Sequence, residues 1–272
     1  MSDTFGSQLH QPRLAELVAD ELRRRILDGD LANGQLLPNQ ETLLAEFDVS
    51  KPSLREAQRI LETEGLITVR RGNVGGAQVH YPDARHAAYT MALVLQRLKV
   101  SLDDVGGALK HLEGTCTALC SSRPDRKETV VPALRECNRR AEESLEDELA
   151  YVAATAEFHT NLVRHCGSQT MGLLVGSLES LWLGHVQAWA ELTASEGEFP
   201  DPDYRRQGLS VHEEITDLIE AGEVVAASEL AESHFDPQQF YRTSTDGSRH
   251  VDATVIRSHG RTPRLRPVRD GS

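Results

Sequence analysis

Apolar residues recur every three or four positions over 13–29, where Leu14, Leu17, Val18, Leu22 and Ile26 share one face. This spacing predicts an amphipathic helix, ended by Gly29 or Gly34. After the loop at Pro38, Leu43, Leu44 and Phe47 mark a short second helix, and Asp48 and Val49 make a tight turn. Ser50 is placed to cap a third helix with Pro52 in its first turn, where the missing N–H costs nothing. That helix runs to about Glu64, and Gly65 stops it. The stretch LITVRRGNVGGAQVH then holds two short β-prone runs, 66–70 and 77–81, around a Gly/Asn-rich turn, which predicts a small hairpin.

From 84 to 242 the period is helical throughout, in segments near 84–99, 102–121, 125–144, 147–166, 169–193, 205–221 and 223–241. Ser101, Pro124, Gly167, Pro200, Pro202 and Gly222 supply the breaks. Short connections between helices favour antiparallel neighbours. The fold expected is mainly α: a winged helix-turn-helix over 1–82, then an all-α antiparallel bundle over 83–245. The remainder, 246–272, is polar and basic without a long apolar period, and it reads as a disordered tail.

The first region has the order helix, helix, tight turn, helix, hairpin, so its third helix is the recognition element. Leu54, Ala57, Ile60 and Leu61 point inward, and Lys51, Ser53, Arg55, Gln58 and Arg59 lie toward the other side. Arg55 and Arg59 are one turn apart and share a face. A helix of this kind enters the major groove, where arginine bonds guanine bidentately. Arg70 and Arg71 on the hairpin are placed to reach phosphates or a minor groove.

Charge sharpens this division. The net charge is −13, which argues against a general polyanion binder, but residues 1–82 carry only −3 (9 Lys/Arg against 12 Asp/Glu) and residues 246–272 carry +3. The middle holds the whole excess, so contacts to nucleic acid belong at the ends. No run of about 18 apolar residues occurs, which excludes a membrane-spanning helix, and the N-terminus has no secretion signal pattern. A cytoplasmic protein is expected. Four cysteines without a CxxC pair read as reduced, buried thiols.

Among eleven histidines, His159 lies in the helix AEFHTNLVRHCG, His212 opens VHEEITDLIEAG and His234 closes ASELAESHF. Antiparallel packing of the last two helices would bring His212 and His234 together across 22 residues of sequence. Three converging imidazoles suit Zn²⁺ or a similar divalent ion. On spacing alone, hydrogen-bonded structural histidines are the commoner outcome. Trp182 and Trp189, seven apart on one helix, read as core.

The landmarks Gly29, Gly34, Leu37-Pro38, Val49-Ser50, Arg55-Glu56-Ala57, Leu61, Gly65-Leu66 and Arg70-Arg71-Gly72 occur in order over about 12–80. This stretch resembles the N-terminal domain of GntR-family bacterial transcription regulators. The resemblance implies that Lys51, Ser53, Arg55, Arg59, Arg70, Arg71 and Gly72 face DNA. Lys51 stands where many members have Arg, which keeps the charge but not the fork geometry. Phe158-His159, His212 three residues before Ile215, and His234 resemble the metal-binding form of the FCD domain of FadR-type members. That resemblance implies a divalent metal, zinc by preference, on His159, His212 and His234. It also implies an effector site near Glu113, Thr155 and Lys110. The chain departs at two positions: Thr155 replaces the family's fourth ligand, an Asp, and Leu109 replaces an Arg aimed at an effector carboxylate.

The function these readings imply is a sequence-specific regulator, a repressor by the family's habit. It would bind a double-stranded operator as a homodimer and respond to a small effector, such as a carboxylate, held near the metal. Two alternatives stay open. One is a constitutive DNA-binding protein with a degraded effector site, and the other is a zinc hydrolase. The second is opposed by the lack of an HExxH pair, a GxSxG elbow or a phosphate loop, so no catalytic residue is assigned and an enzyme is not expected.

Overall fold

The computed structural model describes residues 13–70, 76–196, 199–234 and 250–258. Arg71 and Gly72 of the expected DNA face lie outside them. The chain forms two compact units, residues 1–82 and 83–272.

The first unit contains α1 (Leu14–Leu27), α2 (Gln40–Phe47), α3 (Lys51–Thr63) and the antiparallel pair β1 (Ile67–Arg70) and β2 (Gly76–Val79). Asn39 caps α2 by accepting the Thr42 N–H at 2.9 Å. Ser50 caps α3 by accepting the Ser53 N–H at 3.4 Å. Each cap satisfies a donor that the first helical turn leaves without an intrahelical partner. Asp48 takes a left-handed conformation between the two helices (φ 47°) and turns the chain sharply. Leu22, Ile26, Leu43, Leu54 and Leu61 are fully buried, each stabilising the unit by about 1.5–3 kcal/mol relative to exposure. One expectation is corrected: Leu14 and Leu17 are half exposed. The buried stripe of α1 runs through Ala15, Val18, Ala19, Leu22 and Ile26, because two small alanines let the helix sit closer to α3 than the larger leucines would.

The second unit is a helical bundle of α4 (Ala84–Arg97), α5 (Leu102–Ser122), α6 (Arg126–Thr129), α7 (Val131–Glu143), α8 (Glu148–His165), α9 (Gln169–Glu196), α10 (Pro202–Ala221), α11 (Val224–His234) and α12 (Ala253–Ser258). The segment expected at 125–144 is thus two helices, parted at Val130 before Pro132. Two glycines set the arrangement around the site. Gly222, at φ +80°, ends α10 in the left-handed conformation that a side chain disfavours, and the chain reverses there into α11. On α5, a Cβ at Gly114 would collide with Glu232. The missing side chain lets α11 lie against α5, where Ser228 donates to the Gly114 carbonyl at 2.9 Å.

Of the tail expected to be disordered, residues 250–258 are ordered against the bundle, and the rest lies outside the described residues. Val251 and Ala253 are buried in the bundle core. The Val251 N–H donates to the Val100 carbonyl at 3.0 Å, the Asp252 N–H to His185 Nε2 at 3.1 Å, and the Ala253 N–H to Gln96 at 3.0 Å. Four apolar residues within six positions, held by backbone hydrogen bonds, are enough to dock this segment. They are too few to show a helical period.

Candidate functional site

On the first unit, α3 presents Lys51, Arg55 and Arg59 to solvent, and Arg70 is exposed on the hairpin. Their electrostatic state differs from that of the arginines on α1. Arg23 is held by Asp20 and Glu64, Arg24 by Glu21 and Asp28, and Arg25 by Glu21 and Glu46. Among the described residues, Lys51, Arg55 and Arg70 have no such partner, and Arg59 has one exposed contact to Glu56 at 3.2 Å. Exposed ion pairs of that kind contribute little to stability. Ser53 is half-buried and shares a 2.9 Å hydroxyl contact with Ser50, so it is partly spent on the cap.

In the second unit, α8, α10 and α11 bring His159, His212 and His234 together, with ligand nitrogens within 4.8 Å of one another. The imidazoles of His212 and His234 face each other Nε2 to Nε2 at 2.8 Å. Phe158 stacks flat on His212 at a centroid distance of 4.0 Å and fixes that ring. Burial, reinforced by the neighbouring imidazoles, pushes the His212 pKa well below its ordinary value and that of His234 to about 4. Both are therefore neutral at pH 7, the state that ligates a metal. His212 Nδ1 is buried without a hydrogen-bond partner. Three nitrogen donors, two of them kept neutral by burial, fit a divalent ion such as zinc.

The carboxylate beside this cluster comes from α5. Glu113 is 3% exposed, and its carboxylate meets Nδ1 of His159 in a short hydrogen bond. Burial opposes protonation of His159, but the Glu113 charge outweighs it and holds the pKa above the ordinary value. A carboxylate on one ring nitrogen sets the tautomer and orientation of the imidazole, as it does behind metal-bound histidines. Thr155 lies one turn before His159, and its hydroxyl donates to the Tyr151 and Val152 carbonyls at 3.0 and 3.1 Å. Glu157 faces away and pairs with Arg140 at 3.0 Å.

Beside the histidines is a cavity of about 150 Å³. Glu113, Thr155, His159 and His234 form part of its wall, with Trp182 and Trp189 on another side. Lys110, expected among the effector contacts, is not in the wall, although it lies less than one turn before Glu113: Glu113 is the α5 residue that reaches the cavity. The sequence reading missed two polar residues here. Glu179 on α9 is 6% exposed with Oε1 lacking a partner, and burial, then the nearby Glu113, pushes its pKa up to about 8. Arg205 on α10 is 5% exposed and donates to the carbonyls of Pro200 and Leu145. The sequence carried a signal for one of them: Glu179 is the sole charge in the apolar stretch 169–190, whereas Arg205 stands beside Arg206 and near Asp203 with no mark of burial. His185, by contrast, is structural, with Nδ1 on the Leu181 carbonyl at 2.9 Å.

Comparison with known proteins agrees with both halves. The family described as bacterial regulatory proteins, gntR family, matches residues 14–75, and the FCD domain matches residues 105–237. The chain is 27% identical over 179 residues to the HTH-type transcriptional repressor NanR of Klebsiella aerogenes, covering 61% of this chain and 65% of that protein. That alignment falls just short of two thirds of the relative's length. Similarity to the HTH-type transcriptional regulator Mce2R of Mycobacterium tuberculosis is 23% over 219 residues, covering 80% and 86%. In fold it is similar to Streptococcus agalactiae GntR, with a TM-score of 0.61 at 22% identity over 81% of this chain and 96% of that one. With a winged helix-turn-helix matching one family model and a helical bundle matching the other, the chain belongs to the GntR family of bacterial regulatory proteins and carries an FCD domain.

Proposed function

We propose that this protein is a transcription repressor of the cytoplasm that binds operator DNA as a homodimer and changes its affinity when a small effector enters the cavity of the helical unit. The observation that carries the reading is the contrast in ion pairing: the cations of α1 are spent on neighbouring carboxylates, whereas Lys51, Arg55 and Arg70 are exposed and have no ion pair among the described residues. Uncommitted arginines on a recognition helix are available for base edges and phosphates without first breaking a bond. Arg71 and Gly72 belong to the proposed contact surface by sequence. Leu93, Val94 and Leu98 stand exposed on α4, apolar surface that a second copy would cover. No described helix is long and apolar enough to cross a membrane.

In the helical unit, His159, His212 and His234 would hold a divalent metal, which when bound supplies a Lewis-acidic point for a polar group of the effector. Glu113 orients His159, and the buried walls exclude water around the ligand. Thr155, spent on its own helix, leaves the metal one protein ligand short of the four that closed structural sites use. The same feature favours a second reading, a constitutive regulator whose effector site has decayed.

The test is fluorescence-anisotropy binding to duplexes enriched by this protein from a random pool, with metal content measured before and after chelation. A sensor binds an enriched sequence and changes affinity on chelation or on ligand addition. A constitutive regulator binds equally under all conditions. Failure to enrich any sequence would reject both readings.

A further inference from the structure

The cavity's wall is unusual in the balance of its charges. Two buried carboxyls, Glu113 and Glu179, line it. Glu113 is engaged with His159, but Glu179 Oε1 is shielded from water and has no hydrogen-bond partner. Leaving a buried acceptor unpaired is unfavourable, and a ligand donor would remove that cost. Among the described wall residues, Arg205 is the one carrying a permanent positive charge, and that charge is already satisfied. Its guanidinium donates to Pro200 and Leu145 carbonyls, approaches Glu148 at 3.5 Å and lies over the Phe199 ring at 4.9 Å. One turn before Glu113 on α5, Leu109 is buried and apolar, so that helix brings no cation to the wall from this position.

The remaining wall is aromatic. Trp182, Trp189, Phe199, Tyr151 and Tyr204 all border the space. Aromatic faces together with a carboxyl are the elements that recognise organic ammonium groups, through the negative potential of the ring faces. A cavity of about this volume accommodates a benzene-sized ring.

We infer that the cavity takes an amine with an aromatic or similarly compact apolar body, its nitrogen donating to Glu179 and its body lying against Trp182 and Trp189, and that it discriminates against carboxylates. The inference rests on the reading of the helical unit as the sensing half and adds the chemistry of what is sensed.

The chain's two tryptophans both line this cavity, so their fluorescence reports occupancy directly. The experiment titrates the full chain, after chelation and again with one equivalent of zinc, with 2-phenylethylamine and with 3-phenylpropionate. Binding is followed by tryptophan emission and by calorimetry. The amine should bind at least tenfold more tightly than the acid. Glu179→Gln should abolish that preference while retaining the wild-type circular dichroism spectrum. Equal or tighter binding of 3-phenylpropionate, no change in emission with either probe, or an amine preference that survives Glu179→Gln would overturn the inference. Operator binding without ligand, measured in parallel, keeps the two readings apart. Amine binding with no change in operator affinity would reject the sensor but leave the cavity chemistry standing, whereas operator release by 3-phenylpropionate alone would do the reverse.

Discussion

The two units place their polar residues in opposite ways. In the helix-turn-helix unit the residues assigned to DNA are on the outside, and the core behind them is wholly apolar, from Val18 and Leu22 through Leu54 and Leu61 to Ile67 and Val79. In the helical unit the residues assigned to sensing are inside: Glu113, Glu179, Arg205 and His212 are all buried. An exposed arginine can be changed at almost no cost to the fold, whereas a buried polar group is also part of the packing. Function and stability should therefore separate in the first unit and remain coupled in the second.

The largest expected effect tests that coupling. Phe158 is fully buried and stacked on His212, so Phe158→Ala should cost about 3–5 kcal/mol of stability. Denaturant unfolding should show the loss, and zinc binding should weaken with it. If the metal site survives the loss of its packing, the units differ less than proposed. Next comes Glu179. Its raised pKa means that the folded chain holds a proton the unfolded chain releases, so stability from this group is present below pH 4.5 and falls as the pH rises toward about 8. Glu179→Gln removes that dependence. The melting midpoints of the two proteins should nearly coincide at pH 4.5 and separate by pH 8.5, with the variant higher.

Arg55→Ala should lower operator affinity by about 1–3 kcal/mol per subunit, the range for one bidentate base contact, and leave the melting midpoint unchanged. A drop in melting temperature would show that the recognition helix is not as independent of its core as its exposure indicates. The smallest effect is a control within the same unit. Asn39→Ala removes the cap of α2 and should cost about 1 kcal/mol of stability. Its effect on DNA affinity should disappear below the unfolding temperature.

Legibility in the sequence follows the same division. Recognition-helix residues were readable because a cap at Ser50, Pro52 and an apolar stripe through Leu54, Ala57 and Leu61 fix the helix's rotation, and rotation fixes which side chains face out. The meeting of His212 and His234 was readable because the Gly222 reversal makes a separation of 22 residues into a contact between two helices; His159, on α8, joined them only through the resemblance. Glu179 and Arg205 were missed. Their burial depends on how α8, α9 and α10 pack together, which no single helix's period records. Lys110 failed because the cavity meets α5 only at Glu113, and Leu14 and Leu17 failed because small alanines can win the buried face when a neighbouring helix comes close.

The docking of His250–Ser258 onto α4 and α9 bears on how the protein is made. The Val100 carbonyl and the Gln96 side chain accept hydrogen bonds from the Val251 and Ala253 N–H groups, so the helical unit joins segments about 150 positions apart. Such non-local closure is among the last steps of folding. On the ribosome, the first unit has all its partners once residue 79 has emerged, but α4 must wait for residue 258. During synthesis a nascent chain thus passes through an interval in which the DNA-reading half is complete and the sensing half is still open, with Val251 and Ala253 not yet covering their share of the core.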